Sequence, residues 1–195
     1  MALTISAKVT NRKSLAYTSK TPGKTQQFNF FAVNDKPDRE REIKYGDVIV
    51  GEKDPDSFNI VDLPGFGFAK VPDHIRRDWS EFMSQYITTR KTLRVLFHLV
   101  DARHGPTEED SKIMKLVGEV LPRRVTYVVV LTKADKNVKG ASKGNAGKVT
   151  QEVMQKVRDT MKQCKVGNAP VILTSAETKL GRDDLWRFLS RAAEV

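Results

Sequence analysis

A lysine and an aspartate two positions apart, set directly after an apolar run, form the most chemically specific arrangement in this chain: Leu131-Thr-Lys-Ala-Asp135 follows Val128-Val-Val. The Asp135 carboxylate offers two acceptor oxygens and no donor, so it suits a partner with two adjacent N–H groups. Guanine presents that pair, N1–H beside the exocyclic N2–H. Adenine does not, and a bound adenine leaves the buried charge unpaired. Lys133 can lay its aliphatic stem along a flat ring while its ammonium stays in water, and Thr132 can hold the loop. A Thr-Lys-x-Asp tetrapeptide is common on protein surfaces; its place at the end of a strand is what gives it weight.

Three further groups sit in comparable places. Asp62-Leu63-Pro64-Gly65 follows Phe58-Asn-Ile-Val61, where an aspartate can hold a phosphate-bound Mg²⁺ through water and a glycine lets the backbone approach a terminal phosphate. Taken alone, the Pro-Gly reads as an ordinary turn. Thr21-Pro-Gly-Lys-Thr25 precedes Phe28-Asn-Phe-Phe, and a Thr25 hydroxyl that joins Mg²⁺ only when the terminal phosphate is present makes a switch. Thr174-Ser175-Ala176 follows Val171-Ile-Leu and can close over a base with backbone N–H groups directed at its O6; by itself the tripeptide is uninformative.

The elements that must position these groups are short β-branched runs alternating with helical stripes. Phe28–Val33, Phe58–Val61, Leu93–Val100, Tyr127–Leu131 and Val171–Leu173 read as strands, and their near-continuous apolarity implies cover on both faces. Trp79, Phe82, Met83, Tyr86 and Ile87 fall on one helical stripe after Pro72-Asp73, with further helices expected around Ile113–Val120, Val149–Met161 and Asp183–Ala193. Strand then helix, repeated, specifies an α/β fold with a mostly parallel sheet and helices on both faces. In such a sheet ligands sit beyond the carboxyl ends of the strands, which is where Asp62, Asp101-Ala-Arg-His104, Thr132–Asp135 and Thr174–Ala176 fall. The charged stretch Asn34–Ser57 reads as a surface hairpin excursion between antiparallel neighbours.

Composition narrows the partners. The 195 residues suit one domain with one core, and 34 Lys+Arg against 24 Asp+Glu give +10, a balance that favours polyanions such as nucleic acid as much as it favours solubility. Cys164 is the single cysteine, so neither an intrachain disulfide nor a cysteine-rich metal site can form, as in a reducing compartment. No run approaches the roughly 18 apolar residues of a membrane-spanning helix, and Met1-Ala-Leu-Thr-Ile-Ser is unlike a secretory leader.

In this order the motifs resemble the EngB/YihA family of GTP-binding proteins. The likeness is carried by Thr10-Asn-Arg-Lys-Ser-Leu-Ala, Thr18-Ser-Lys-Thr-Pro-Gly-Lys-Thr-Gln, Asp62-Leu-Pro-Gly-Phe-Gly-Phe-Ala-Lys-Val, Asp101-Ala-Arg-His-Gly-Pro and Leu131-Thr-Lys-Ala-Asp-Lys. It implies a G domain of the P-loop-NTPase type and a Mg²⁺-dependent GTP/GDP switch in assembly of the large ribosomal subunit. The expected partners are the subunit precursor or rRNA, with no membrane. It assigns nucleotide contacts to Gly23, Lys24, Thr25, Gln26 and Gln27, to Asp62, Leu63, Pro64 and Gly65, to Thr132, Lys133, Ala134 and Asp135, and to Thr174, Ser175 and Ala176. Thr25 is implied as a metal ligand and Asp62 as one through water. The expected setting is a monomer in the cytoplasm, or in a mitochondrial or plastid interior.

Against that pattern, no Gly-x-x-x-x-Gly-Lys-Ser/Thr loop is found. Gly23-Lys24-Thr25 has Thr18 where the first glycine belongs, and Gly147-Lys148 is followed by Val149. The expectation is therefore a single G domain over 1–195 whose first strand and P-loop are missing. A nucleotide-independent basic RNA-binding module and a nonfunctional fragment are the competing readings. Phe66 stands where related GTPases place a water-orienting glutamine, so no catalytic residue is assigned and hydrolysis is left open.

Overall fold

From Phe58 onward strand and helix alternate among the described residues, as the apolar pattern requires. The computed structural model describes residues 29–33, 58–63, 73–136 and 149–193. Among these, β1 (Asn29–Val33) and β2 (Phe58–Asp62) form an antiparallel pair, followed by α1 (Asp73–Thr89), β3 (Val95–Asp101), α2 (Glu108–Val120), β4 (Thr126–Thr132), a 3₁₀ turn (Ala134–Lys136), α3 (Gln151–Gln163), β5 (Val171–Leu173) and α4 (Arg182–Ala193). β3, β4 and β5 make a parallel sheet in the order β3-β4-β5, each connected to the next through a helix.

β4 is the centre. Tyr127, Val129 and Leu131 face one core with Met83 and Ile87 of α1, Met114 and Val117 of α2, and Val157 and Met161 of α3. The intervening Val128 and Val130 face a second core with Ile172 and the α4 residues Leu185, Trp186, Phe188 and Leu189. An unbroken apolar strand is thus a strand with helices on both faces, and each fully buried valine or leucine there contributes about 1.5–3 kcal/mol. β1 departs from that expectation: its pattern alternates, and Phe30 is 54% exposed. On α1, Met83 and Ile87, one turn apart, reach the core, whereas Phe82 is 48% exposed.

Helix ends are fixed locally. At the start of α2 Thr107 and Asp110 cap each other: Asp110 N donates to Thr107 Oγ1 at 3.2 Å, and Thr107 N to Asp110 Oδ2 at 2.8 Å. Thr150 caps α3 by accepting from Val153 N. Before α4, Gly181 takes φ +70 with its backbone pressed on the Leu173 carbonyl, where a side chain has no room. Gly118 in α2 lies equally close to the Cys164 carbonyl, which brings α2 and the end of α3 together.

One buried polar cluster lies inside the first core. His98 of β3 shares hydrogen bonds with Tyr127 Oη of β4 at 2.6 Å and with Asp110 Oδ1 of α2 at 3.1 Å. Burial pushes the Tyr127 hydroxyl well above its ordinary range.

Gly23–Gln27, Pro64, Gly65, Phe66, the Asn34–Ser57 excursion and the expected absence of a first strand and P-loop lie outside the described residues. Among the described residues no helix is long and apolar enough to cross a membrane.

Candidate guanine-nucleotide site

Register builds this site. β3 and β4 pair in parallel with Asp101 opposite Thr132, so both strands end at the same level and their loops leave side by side. Thr132 Oγ1 donates to Val100 O at 3.2 Å and Ala102 N donates to Thr132 O at 2.9 Å, closing the two ends together. Lys133 then adopts φ 59, a left-handed conformation that costs a non-glycine residue about 1–2 kcal/mol. It reverses the chain into the 3₁₀ turn, whose Ala134 N donates to Thr174 O at 3.0 Å.

That turn sets Asp135 against the loop after β5. Ser175 Oγ donates to Asp135 Oδ1 at 2.6 Å and itself accepts from Glu177 N and Thr178 N, each at 3.1 Å. Ser175 is 3% exposed and the Asp135 side chain 14%, so the carboxylate is held by a sheltered hydroxyl and retains acceptor capacity toward a ligand. Lys136 Nζ lies 4.0 Å from Asp135 Oδ2, and with the lysine side chain 60% exposed the pair carries little energetic weight. Thr174 N donates to Leu131 O at 2.7 Å and Ser175 N to Leu180 O at 3.2 Å, so these two N–H groups serve the fold. Ala176 is half-buried beside them.

A neighbouring charge cluster was not legible in the sequence. Asp101 Oδ2 accepts from Lys133 Nζ at 2.7 Å and from Arg103 Nη2 at 2.7 Å, while Oδ1 accepts from Arg103 Nε at 2.9 Å and Arg103 N at 3.0 Å. Burial pushes the Asp101 carboxyl up, but the Arg103 fork and Lys133 outweigh it and hold the group well below the usual carboxylate range. Lys133 is thus tied at its ammonium. Asp101 and Arg103 stood out in the sequence only as polar residues at a strand end; their link to Lys133 depends on strand pairing.

Asp62 ends β2 at 3% exposure, opposite Asn29 in the antiparallel register. Burial raises its pKa, and an Asn29 side-chain hydrogen bond opposes the shift. Leu63, next along, packs against the first core. A carboxylate oxygen is a hard donor, so Asp62 is chemically suited to Mg²⁺. Among the described residues there is no cluster of three or more His, Cys, Asp or Glu that could hold a metal by itself. The geometry therefore brings Thr132, Lys133, Ala134 and Asp135 together with Thr174, Ser175 and Ala176.

Known proteins resemble this chain in sequence and fold. A family model described as a 50S ribosome-binding GTPase matches residues 4–133. "Probable GTP-binding protein EngB" of Symbiobacterium thermophilum is 35% identical over 197 residues, covering 95% of this chain and 79% of that protein. The proteins of the same name from Geobacillus kaustophilus and Bacillus subtilis are each 35% identical across 93% of this chain, which covers 76% and 75% of their respective lengths. Among solved structures, a bacterial dynamin GTPase, LeoA, superposes with a TM-score of 0.62 at 12% identity, over 99% of this chain and 34% of that one, a likeness of fold alone. With that identity running nearly end to end, the chain belongs to the EngB family of GTP-binding proteins.

Proposed function

We propose that this protein binds GTP and GDP with Mg²⁺ as a conformational switch in assembly of the large ribosomal subunit. The observation that carries the nucleotide reading is the Asp135 carboxylate, fixed through Ser175 Oγ at 2.6 Å at the carboxyl edge of the parallel sheet. From there Asp135 accepts from guanine N1–H and N2–H, Lys133 lays its stem along the base, and Thr132 and Ala134 pin the loop to β3 and to Thr174. Asp62 holds Mg²⁺ through water, with Thr25, by family resemblance, as the direct ligand. Mg²⁺, when bound, neutralises phosphate charge. The ribosomal part of the reading rests on the family and on the +10 net charge. It places the protein where ribosomes are assembled, in the cytoplasm or in a mitochondrial or plastid interior.

The test is titration with a fluorescent GDP analogue in Mg²⁺, competed with GTP and with ATP, beside Asp135→Asn. The expected result is competition by GTP and not by ATP. Asp135→Asn takes the charge from one hydrogen bond to the base and sets an N–H₂ donor against the other base N–H, a loss of about 3–6 kcal/mol that weakens binding by about 10²–10⁴-fold. Equal competition by ATP, or an Asp135→Asn chain that binds like its parent, removes the reading.

A further inference from the structure

At the pole opposite the nucleotide loops two basic loops touch. One joins α1 to β3 and holds Arg90, Lys91 and Arg94; the other joins α2 to β4 and holds Arg123 and Arg124. Arg124 Nη2 donates to the carbonyls of Thr88 and Arg90, both at 3.2 Å, and Thr126 N donates to Arg94 O at 2.8 Å, so residues some thirty apart in sequence share one surface. Arg90, Lys91, Arg123 and Arg124 are exposed and Arg94 half-exposed.

Among the described residues no carboxylate pairs with that charge. Neither Thr88–Leu96 nor Leu121–Tyr127 contains an acidic residue, and Glu119, the nearest carboxylate in sequence, forms no ion pair with the five. Part of the cluster serves the fold: Arg124 satisfies carbonyls at the end of α1, Arg94 Nη1 donates to Lys91 O at 3.2 Å, and Arg90 Nε to Thr92 Oγ1 at 3.0 Å. Among the described residues, Lys91 and Arg123 make no side-chain hydrogen bond or ion pair. Both are held on short turns flanking rigid strands, with their charges turned to solvent.

We infer that this two-loop basic pole is the surface on which the protein grips RNA through its phosphate backbone. The inference rests on the ribosomal reading above and adds where the contact is made. Lys91 and Arg123, with no side-chain partner among the described residues, are available to phosphates and release their counterions on contact. Strands of this length, at about 3.3 Å per residue, separate the pole from the nucleotide loops by roughly 20 Å. RNA can therefore be held while the base-reading loops stay open to nucleotide.

The experiment uses the whole chain and a fluorescent RNA hairpin, with anisotropy titrations at a series of KCl concentrations. Lys91→Glu/Arg123→Glu is compared with Lys112→Glu/Arg158→Glu, which changes net charge equally on exposed helix positions. The expected result is that the first variant loses about 2 from the salt slope, about 1 per phosphate contact, and binds about tenfold or more weakly near physiological salt. The second keeps the parent's slope, and all three bind GDP alike. Where the charge reversals lower the Tm, Lys91→Gln/Arg123→Gln replaces them with the same expectation. Equal losses in both variants show an effect of net charge alone and overturn the inference. So does unchanged RNA binding by the first variant, or a parent that binds vesicles of anionic lipid and no RNA. A parent that binds GDP but no RNA overturns the basic pole and leaves the nucleotide reading standing. One that binds RNA through Lys91 and Arg123 but no GDP supports the pole and removes the nucleotide reading.

Discussion

Ser175→Ala isolates one hydroxyl at the centre of the site. Ser175 Oγ donates to Asp135 Oδ1 at 2.6 Å, within the range of a short charge-assisted bond, and accepts from Glu177 N and Thr178 N. Removing it frees the carboxylate to rotate, so guanine binding must bear the cost of re-fixing it. A hydrogen bond to a charged group is worth about 1.5–3 kcal/mol, so GDP affinity falls by about 10- to 150-fold. Glu177 and Thr178 are exposed, and water replaces the lost acceptor for their N–H groups. The fold therefore loses only about 1–2 kcal/mol, a drop of roughly 2–8 °C in Tm for a domain of this size. The assay is fluorescent-GDP titration, run well below the Tm of the variant, beside a thermal melt. If Ser175→Ala binds GDP within about twofold of the parent while showing the expected melt, Asp135 is not positioned by this hydroxyl and the reasoning fails.

Asp101→Asn removes the charge that holds Lys133 Nζ; the pair is part-exposed at 37% and 21%, so the effect is screened and GDP is released up to about fivefold faster in stopped-flow displacement, and an unchanged rate argues against anchoring. Gly181→Ala meets the Leu173 carbonyl at φ +70 and loses about 2–5 kcal/mol in urea unfolding; a loss below about 0.5 kcal/mol contradicts the packing described. Burial raises the Asp110 pKa, but bonds from His98 and Thr107 outweigh it and depress the carboxyl below its ordinary value. Its contribution is thus fully present above the unfolded value near 4 and lost as pH falls through the lower folded value, so the stability gap between parent and Asp110→Asn closes in acid. A gap unchanged from pH 7 down to about 2.5 contradicts that linkage.

The strand and helix pattern was legible because burial on two faces leaves an unbroken apolar run, as in Val128–Leu131; the helix starts were less so, since the apolar pattern marks α2 only from about Ile113 and the helix begins at Glu108, behind the Thr107 cap. The loop residues were legible for a related reason: they are polar side chains placed directly after such runs. Partnerships were not. Lys133 meets Asp101 across 32 positions and Ser175 meets Asp135 across 40, and both depend on the parallel register. His98 sits unremarked inside an apolar run because its partners, Tyr127 and Asp110, are brought to it by strand pairing and helix packing. Phe30 and Phe82 show the opposite limit, since apolarity alone does not say which faces the fold leaves open.

Burial of β4 from Tyr127 through Thr132, with β3 on one side and β5 on the other, has a consequence for how the protein opens. Local fluctuations cannot expose a strand sealed on four sides, so its amide protons exchange with solvent only when the whole domain unfolds. The Lys133–Lys136 turn is continuous with that strand and is therefore mounted on an element that opens only with the domain. The turn can yield to an entering base on its own timescale while the strand beneath it holds its register.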